Sequence, residues 1–532
     1  MQENSSENFD CTGSILVTVK NMINSIPCRS IQCLSRAHHP RFLFSYFSNL
    51  VPLTSDAKNY LTEESRVLAP KARIPSTYTP KSKKIFHTLT MSPYQRPLPS
   101  KQTVLTRYGG WIPANPAVYD AFFNDLLREI DPKKAHVPAV QNFKDNINAD
   151  PELVDLFEQV FLQVSPESRV RTFEQLLLCM DKIVVAAPKF QVNRNDQGEI
   201  IGGEPIGVPL YLLLDLLSNT SAGYDLFRKV EFNAAMKNLL DFWGSYLRGS
   251  QSNNTLNDSD EGWFGQLGLA TLENERGIFN EIYECPDYTA VNRGFTSWDA
   301  FFTRKFKPDA RPIQRPDPPF FFIFNACEST VYRISTDIKE HDQFWLKGQP
   351  YSIYDMLGRR DDEVSRSFIG GTVYQAFLSP YDYHRWHSPV DGTIREIQLV
   401  PGTYYAALPD DGAGESDPDF QPGDPRGAII RSQAWLTEAA TRAIIHIEAD
   451  NKAIGRIVFI GIGMVEVSTC QITVEEGDRV KAGDEIGMFH FGGSSHALIF
   501  ERGVNLEFFD DVVINNHLHV NRPIAGLQVP KA

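Results

Sequence analysis

The sequence of 532 residues lacks any apolar run that approaches the roughly 20 residues needed to span a bilayer. It also lacks a surplus of basic residues, because 52 Lys and Arg face 66 Asp and Glu, which gives a net charge of −14. A chain this acidic is poorly suited to nonspecific binding of nucleic acid or of anionic membranes. We therefore predict no nucleic-acid partner and no integral membrane segment.

Cysteine is sparse, and its seven copies are scattered without a spacing typical of disulfide frameworks. The odd count and the wide spacing indicate a reducing compartment. The first ten residues are polar and acidic, which argues against a secretory signal at the start of this sequence. We predict a cytoplasmic protein. Residues 18–48 are acid-poor and carry four basic residues, so weak organelle targeting is the alternative.

The pattern of apolar residues divides the chain into three parts. Residues 1–100 lack sustained periodicity and end in a stretch rich in Pro, Ser and Lys, which predicts a disordered tail and a linker. Residues 101–297 repeat apolar side chains at helical spacing and predict a helical domain. Residues 298–532 contain short β-type runs between turn residues and predict a β-rich catalytic domain, so the expected fold class is α+β. The runs interpreted as strands are 321–325, 372–377, 428–431, 443–448, 456–460 and 464–467.

The stretch from residue 488 to residue 496 contains the pair Gly493-Ser494 after a glycine-paced hairpin. In a strained turn, the Ser494 hydroxyl can attack the carbonyl of Gly493 and convert the amide into an ester. Elimination and hydrolysis would then leave a pyruvoyl group at residue 494, a ketone that binds amines and acts as an electron sink. The alternative is an ordinary flexible turn. The hairpin itself is also found in biotinyl and lipoyl carriers, but the Met-Lys-Met-like turn of those domains is absent.

Two histidines, His384 and His387, stand three residues apart before Ser388-Pro389. Histidine is the natural base at neutral pH, so this pair could divide the proton transfers of maturation and turnover. A zinc pair and a structural histidine are the alternatives, although no third metal ligand is evident locally. Glu328 follows a predicted strand, and a carboxylate there could orient a histidine. Cys327 is a nucleophile by residue type alone.

Together these segments resemble the pyruvoyl-dependent phosphatidylserine decarboxylase family. Four blocks match its motifs in order, including Gly492-Gly493-Ser494-Ser495 where the family usually has Leu-Gly-Ser-Thr; the other three are 301–313, 378–389 and 461–470. The resemblance implies cleavage between Gly493 and Ser494, a pyruvoyl group derived from Ser494, and a small chain 494–532 that stays bound to the remainder. It further implies that His387 is the base for self-processing and that His384 protonates or positions the substrate. Glu328 stands where the family has Asp, which leaves the reach of this carboxylate open.

Several departures from the family pattern resemble its soluble fungal branch, which includes an L-tryptophan decarboxylase. They are the Gly-Gly-Ser-Ser motif, the Glu in place of Asp and the helical domain, and the likeness covers about 420 residues. We therefore predict decarboxylation of a free L-amino acid, most plausibly aromatic, such as L-tryptophan to tryptamine in secondary metabolism. The alternatives are a phosphatidylserine decarboxylase that makes phosphatidylethanolamine and a non-catalytic family member. His496 stands where the tryptophan enzyme has Phe, which leaves the preferred side chain open.

Overall fold

The structure is a computed structural model that describes residues 109–315, 321–340, 351–359, 362–410, 424–466 and 469–527. The predicted tail and linker therefore lie outside the described residues. Helices dominate up to residue 302, in a part that we call the helix-rich segment (109–302). Its helices are α1 (Pro116–Glu129), α2 (Pro138–Asn148), α3 (Pro151–Gln163), α4 (Phe173–Ile183), α5 (Pro209–Ser218), α6 (Ser221–Leu226), α7 (Val230–Arg248), α8 (Gln266–Glu273), α9 (Phe279–Ile282) and α10 (Trp298–Phe302).

Local sequence signals explain where several of these helices begin. Asn115 and Asp150 precede a proline in the first turn, and their side chains accept hydrogen bonds from Ala117 N–H and Glu152 N–H, respectively. Such caps satisfy backbone donors that have no partner within the helix. The buried faces follow the helical periodicity of the sequence, for example Leu153, Phe157 and Val160 on α3.

The helix-rich segment is not purely helical, so the prediction for this segment needs correction. Strands β1 (Lys189–Arg194) and β2 (Ile200–Ile206) form an antiparallel hairpin inside it. The loop Asn195-Asp196-Gln197-Gly198 carries the residues that favour a tight turn, with Gly198 at φ +80°. This turn signal was present in the sequence, but the helical rhythm on both sides concealed it.

The C-terminal part contains the sheets and completes a mixed α+β fold, as predicted. The described residues form an eight-stranded antiparallel sheet in the order β11-β7-β8-β9-β13-β5-β4-β15, and three-stranded sheets in the orders β10-β12-β6 and β14-β16-β3. The strands are β3 (Phe322–Phe324), β4 (Ser329–Thr336), β5 (Thr372–Leu378), β6 (Arg385–His387), β7 (Gly392–Val400), β8 (Arg442–Ala449), β9 (Arg456–Gly463), β10 (Thr469–Ile472), β11 (Arg479–Val480), β12 (Glu485–His490), β13 (Ser494–Phe500), β14 (Leu506–Phe508), β15 (His517–Leu518) and β16 (Pro523–Leu527). Short helices α11 (Ile353–Met356), α12 (Glu363–Phe368), α13 (Ala428–Arg431) and α14 (Gln433–Ala439) connect them.

Two predicted strands were wrong in whole or in part. Residues 428–431 form helix α13, whose four residues are all buried, because a short apolar run does not distinguish a strand from a buried helix. The run 464–467 is not a strand where it is described: β9 ends at Gly463, and Val465 has φ +53°. Its last residue, at position 467, lies outside the described residues.

The helix-rich segment packs directly against the turn that precedes β13. Phe491, with φ +30°, places its ring 6.3 Å from the ring of Trp243 on α7. A Cβ atom added at Gly244 would lie only 2.4 Å from Cζ of Phe491, so α7 approaches this ring as closely as a glycine permits. The turn that holds the predicted cleavage bond is therefore shaped by a helix about 250 residues earlier in the chain.

Two further features concern the helices and the cysteines of the described ranges. None of the helices in the described ranges is long and apolar enough to cross a membrane. The four cysteines within these ranges, Cys179, Cys285, Cys327 and Cys470, are buried free thiols.

The contact between α7 and Phe491 yields a first prediction. Gly244→Ala should slow cleavage between residues 493 and 494, because the added methyl displaces the Phe491 ring and with it the turn. Helix propensity alone would predict no such loss, because replacing glycine by alanine in a helix stabilises it by about 1 kcal/mol. The fraction of cleaved chain is followed against time by gel electrophoresis.

The matched control is Ser245→Ala, the next residue of α7, which is exposed. The double variant Gly244→Ala/Phe491→Leu should regain speed, since a shorter side chain removes the clash. Equal cleavage rates in the wild type and in Gly244→Ala would contradict the proposed contact.

Candidate functional site

Ser494 is the first residue of β13, a strand in the interior of the eight-stranded sheet. It pairs with Gly463 of β9 on one side and Leu378 of β5 on the other. Its side chain is fully buried, and its Oγ lies 3.3 Å from Nδ1 of His384. A serine hydroxyl is thus placed within reach of a base, as nucleophilic catalysis requires.

The carbonyl group of Gly493 is held from two directions. Its oxygen accepts a hydrogen bond from Met464 N–H at 3.3 Å. The indole of Trp111 covers the residue so closely that a Cβ on Gly493 would lie 2.9 Å from the ring. Trp111 is itself fixed, because its Nε1 donates to the carbonyl of Leu378 at 2.9 Å. Only glycine fits beneath this ring, which explains the residue before Ser494.

Backbone strain concentrates next to this peptide bond. Phe491 has φ +30° and is followed by Gly492 at φ +121°. Positive φ in a bulky residue costs on the order of 1–3 kcal/mol and persists only where the surrounding packing enforces it. Trp243 and Gly244 supply that packing.

His384 lies in the loop before β6 and stacks on Phe302, the last residue of α10, with ring centroids 3.9 Å apart. Its backbone carbonyl accepts from Phe489 N–H of β12. Burial lowers the pKa of His384 to about 3, and the nearby Asp382 carboxylate opposes this shift only in part. At neutral pH the ring is therefore an uncharged imidazole that can accept a proton.

His387 does not contact the same hydroxyl. Its Nδ1 lies 2.7 Å from the carbonyl oxygen of Gly483, and its Nε2 lies 2.9 Å from Tyr383 Oη. Because a carbonyl oxygen only accepts, Nδ1 carries the proton and Tyr383 donates to Nε2. Both nitrogens are thus occupied, and no hydrogen bond between His387 and Ser494 occurs in the described structure. Burial lowers the pKa of His387 as well.

Asp382 is a site residue to which the sequence analysis gave no role. It is fully buried, accepts from Ser379 N–H and pairs with Arg276, whose Nε lies 2.6 Å from Oδ1. His517 of β15 lies 3.3 Å from the same oxygen. Burial alone would raise the pKa of Asp382, but Arg276 and His517 outweigh it and hold the pKa well below its usual range. The sequence signal that could have identified Asp382 was its position, two residues before His384.

Glu328, which the sequence analysis placed as a carboxylate that could orient a histidine, lies in a buried ion pair with Arg311. Arg311 donates to both of its carboxylate oxygens, at 2.7 and 3.1 Å, and Val520 N–H donates to one of them. Burial would raise the pKa of Glu328, but the hydrogen bond and charge of Arg311 lower it. The described hydrogen bonds of Glu328 join it to neither His384 nor His387. Its neighbour Cys327 is fully buried, which raises the pKa of the thiol and makes it a poor nucleophile.

One cluster in the described residues has the geometry of a metal site. Ligand atoms of Glu328, His517 and His519 all lie within 4.8 Å of one another. However, the guanidinium of Arg311 already neutralises Glu328 and bonds both of its oxygens. Arg311 therefore occupies the carboxylate oxygens that a metal ion in this cluster would need. His384 and His387 bind different partners, so their rings are not arranged around a common ion.

Comparison with known proteins places the chain among decarboxylases. The family model described as phosphatidylserine decarboxylase matches residues 298–526, and a second with the same description matches residues 137–272. The decarboxylase iboD of Amanita muscaria is 54% identical over 347 residues, which are 65% of this chain and 98% of that protein. The L-tryptophan decarboxylase of Psilocybe cubensis is 35% identical over 440 residues, 79% of this chain and 94% of its own length.

A more distant relative matches less than half of this chain. The phosphatidylserine decarboxylase proenzyme 3 of Schizosaccharomyces pombe is 31% identical over 223 residues, 42% of this chain and 20% of that protein. The matches to relatives of comparable length cover the helix-rich segment and the sheets together. The chain therefore belongs to the phosphatidylserine decarboxylase family and is a decarboxylase, that is, a carboxy-lyase.

Proposed function

We propose that this chain cleaves itself between Gly493 and Ser494 and then decarboxylates a free L-amino acid, with the aromatic L-tryptophan as first candidate substrate. The observation that carries the proposal is the buried Ser494 hydroxyl, which lies 3.3 Å from an uncharged imidazole and follows the Gly493 carbonyl, in a turn strained at Phe491. The choice of substrate is supported by relatives named L-tryptophan decarboxylase, which match most of the chain. A cytoplasmic location, as the dispersed cysteines suggest, suits a free amino acid as substrate.

Cleavage begins when Ser494 Oγ attacks the carbonyl carbon of Gly493 while His384 Nδ1 takes the hydroxyl proton. The charge that develops on the carbonyl oxygen is stabilised by Met464 N–H, which already bonds this oxygen. The C–N bond then breaks as the Ser494 nitrogen takes up the proton held by His384, and an ester joins Gly493 to the Ser494 side chain. Loss of the Cα proton expels the Gly493 carboxylate and leaves a Cα=Cβ double bond. This enamine regains a proton at Cβ, and water then displaces the nitrogen as ammonia, which leaves a ketone at residue 494.

The three predicted partners of Ser494 take different roles in this proposal. The base assigned to His387 from the family resemblance is given to His384 instead, because His384 contacts the hydroxyl. His387 positions β6 through Tyr383 and Gly483. Glu328 anchors the C-terminal chain through Val520 N–H rather than orienting a histidine. Asp382 provides a fixed negative charge near His384.

The pyruvoyl group, once formed, supplies the electron sink that makes loss of CO₂ from a bound amino acid feasible. The residues around position 494 fit such a group, since they are small or apolar and leave no acidic side chain bonded to Ser494. Because its Nδ1 faces residue 494 and carries no proton at neutral pH, His384 is placed to accept a hydrogen bond from the bound substrate and so to position it. The helix-rich segment acts as a domain that shields this position from water with Trp111.

A phosphatidylserine decarboxylase is the second candidate. It is favoured by the Schizosaccharomyces relative, which is named a phosphatidylserine decarboxylase and is 31% identical to this chain over 223 residues. The two substrates are separated by supplying either free L-tryptophan or phosphatidylserine vesicles and measuring released CO₂. Release of CO₂ from phosphatidylserine but not from L-tryptophan would make the lipid the first candidate substrate.

The central test is an intact mass spectrum of the purified protein. We expect a chain 1–493 and a chain 494–532 that is lighter than its serine form by the mass of ammonia. Ser494→Ala should remain one uncut chain, since it lacks the attacking hydroxyl. Cleavage in Ser494→Ala, or a single uncut wild-type chain without activity, would contradict self-processing at this bond.

The pH dependence of cleavage tests the role of His384. A base must be unprotonated, and a pKa near 3 keeps His384 unprotonated throughout the neutral range. The rate of cleavage should therefore stay nearly constant from about pH 8 to pH 5 and fall only toward about pH 3. A histidine with an ordinary pKa would instead halve the rate near pH 6.5. Precursor freshly made by cell-free translation is shifted to each pH, and its decay is followed on gels.

Substitution separates the two histidines. His384→Ala should slow cleavage by about 10²- to 10⁴-fold, the usual contribution of a general base. His387→Phe keeps a ring beside Tyr383 but loses the hydrogen bonds to Tyr383 and Gly483. It should cleave within about tenfold of the wild-type rate, because His387 does not contact the Ser494 hydroxyl and the lost bonds are worth about 1 kcal/mol each. Both variants are compared by the precursor remaining in a pulse-chase experiment. A large loss in His387→Phe together with a small loss in His384→Ala would identify His387 as the base.

A further inference from the structure

His496 is a buried histidine that the proposed cleavage does not use. Its side chain is fully inaccessible to solvent, and neither ring nitrogen has a hydrogen-bond partner in the described structure. Its ring stacks on Phe459, with centroids 6.0 Å apart, and meets Tyr374 edge-on at 5.9 Å. Burying a polar group without a partner costs about 1–3 kcal/mol, so this arrangement calls for an explanation.

The sheet register places His496 on the same face as Ser494. The two residues are separated by one position on β13, and side chains alternate between the faces of a strand. Their Cα atoms are thus about 7 Å apart. A substrate held at residue 494 would reach His496 with a side chain of three or four bonds.

The residues paired with His496 on this face are small, whereas Leu378 of β5 stands beside Ser494. His496 pairs with Gly461 on β9 and Ala376 on β5, and Ser494 pairs with Gly463. Above Gly461 lies Trp386, whose Cζ2 would be 2.9 Å from a Cβ at that position. The indole Nε1 of Trp386 is also buried without a partner. The imidazole of His496 and the indole N–H of Trp386, both without a hydrogen-bond partner, therefore lie on either side of Gly461.

We infer that His496 is the substrate-recognition residue, and that it hydrogen-bonds a nitrogen or oxygen in the side chain of the amino acid. The inference rests on the proposed function and specifies its substrate class. L-amino acids with a hydrogen-bonding side chain, such as indole, imidazole or carboxamide, are accepted in preference to a plain benzene ring. The unpaired nitrogens of the uncleaved chain acquire their partner when the substrate binds.

The charge state of His496 agrees with this role. Burial lowers its pKa to about 3, so the ring is uncharged, with one nitrogen that donates and one that accepts. A site built for a hydrogen bond discriminates strongly against an analogue that lacks the group, because its own polar atoms are then left unpaired. Phe459 and Tyr374 provide flat apolar walls on which a planar side chain can pack.

The test compares cleaved wild type with His496→Phe and His496→Gln. His496→Phe keeps a flat ring between aromatic neighbours but removes both hydrogen-bonding nitrogens, whereas Gln retains a donor and an acceptor. We consider those of L-tryptophan, L-histidine and L-glutamine that the wild type turns over. For these, His496→Phe should lower kcat/KM by about 10- to 100-fold. For L-phenylalanine the change should stay within about threefold, and Gln should preserve the preference of the wild type. An equal loss for all substrates, or no loss, would overturn the inference.

The matched control is His446→Phe, since His446 is also a buried histidine, on β8, two strands away from β13. It should not change the ratio of kcat/KM values between L-tryptophan and L-phenylalanine. A second readout, independent of turnover, is the dissociation constant of indole-3-propionate relative to 3-phenylpropionate by calorimetry. These acids lack the amine and cannot react. The preference for the indole acid should fall about tenfold or more in His496→Phe, and an unchanged ratio would overturn the inference.

The two proposals fail in distinguishable ways. If the wild type is cleaved but releases CO₂ from no amino acid, the proposed function is wrong, while the calorimetric ratio still tests His496. If the wild type decarboxylates polar and apolar side chains alike, the proposed function stands and the inference about His496 is wrong.

Discussion

The hydrogen-bonded pairing of β13 with β9 and β5 is the constraint on which the rest of the site depends. It fixes Ser494 between Gly463 and Leu378, where neither the backbone nor the hydroxyl can drift. The preceding carbonyl is then held by Met464 N–H, and the preceding turn is bent by Trp111, Trp243 and Phe491. A strained bond beside a rigid strand is a suitable target for an internal nucleophile, because strain is stored where relaxation is blocked.

The same pairing explains how two chains would remain one protein after cleavage. All of β13 and β15 belongs to residues 494–532, and both strands are paired with strands from earlier in the chain. Two buried ion pairs formed before residue 494 contact this small chain: His517 lies 3.3 Å from Asp382, which pairs with Arg276, and Val520 N–H donates to Glu328, which pairs with Arg311. Separation of the chains would take these contacts away from two buried carboxylates, and each lost hydrogen bond to such a group costs about 1–3 kcal/mol.

Much of the site was predictable because its chemistry is local in sequence. The Gly493-Ser494 pair, the neighbouring histidines and the hairpin before them occur as contiguous motifs, and the mixed α+β fold follows from a change in apolar periodicity. The side chains that contact these residues could not be predicted from the sequence. Neither Arg311 beside Glu328 nor Tyr383 beside His387 follows from spacing, because both depend on how separate segments pack.

The sequence by itself determined the family, and it indicated the proposed reacting bond and its serine, since these depend on residue identity along a short stretch. Only the tertiary structure decided which histidine faces Ser494, and it placed His384 there while Tyr383 and Gly483 occupy His387. It also decided that α7 and Trp111 press on the cleavage turn and that His496 is buried without a partner. The physical reason is that side-chain direction and contact depend on strand register and on packing between distant segments, and neither is written in local sequence.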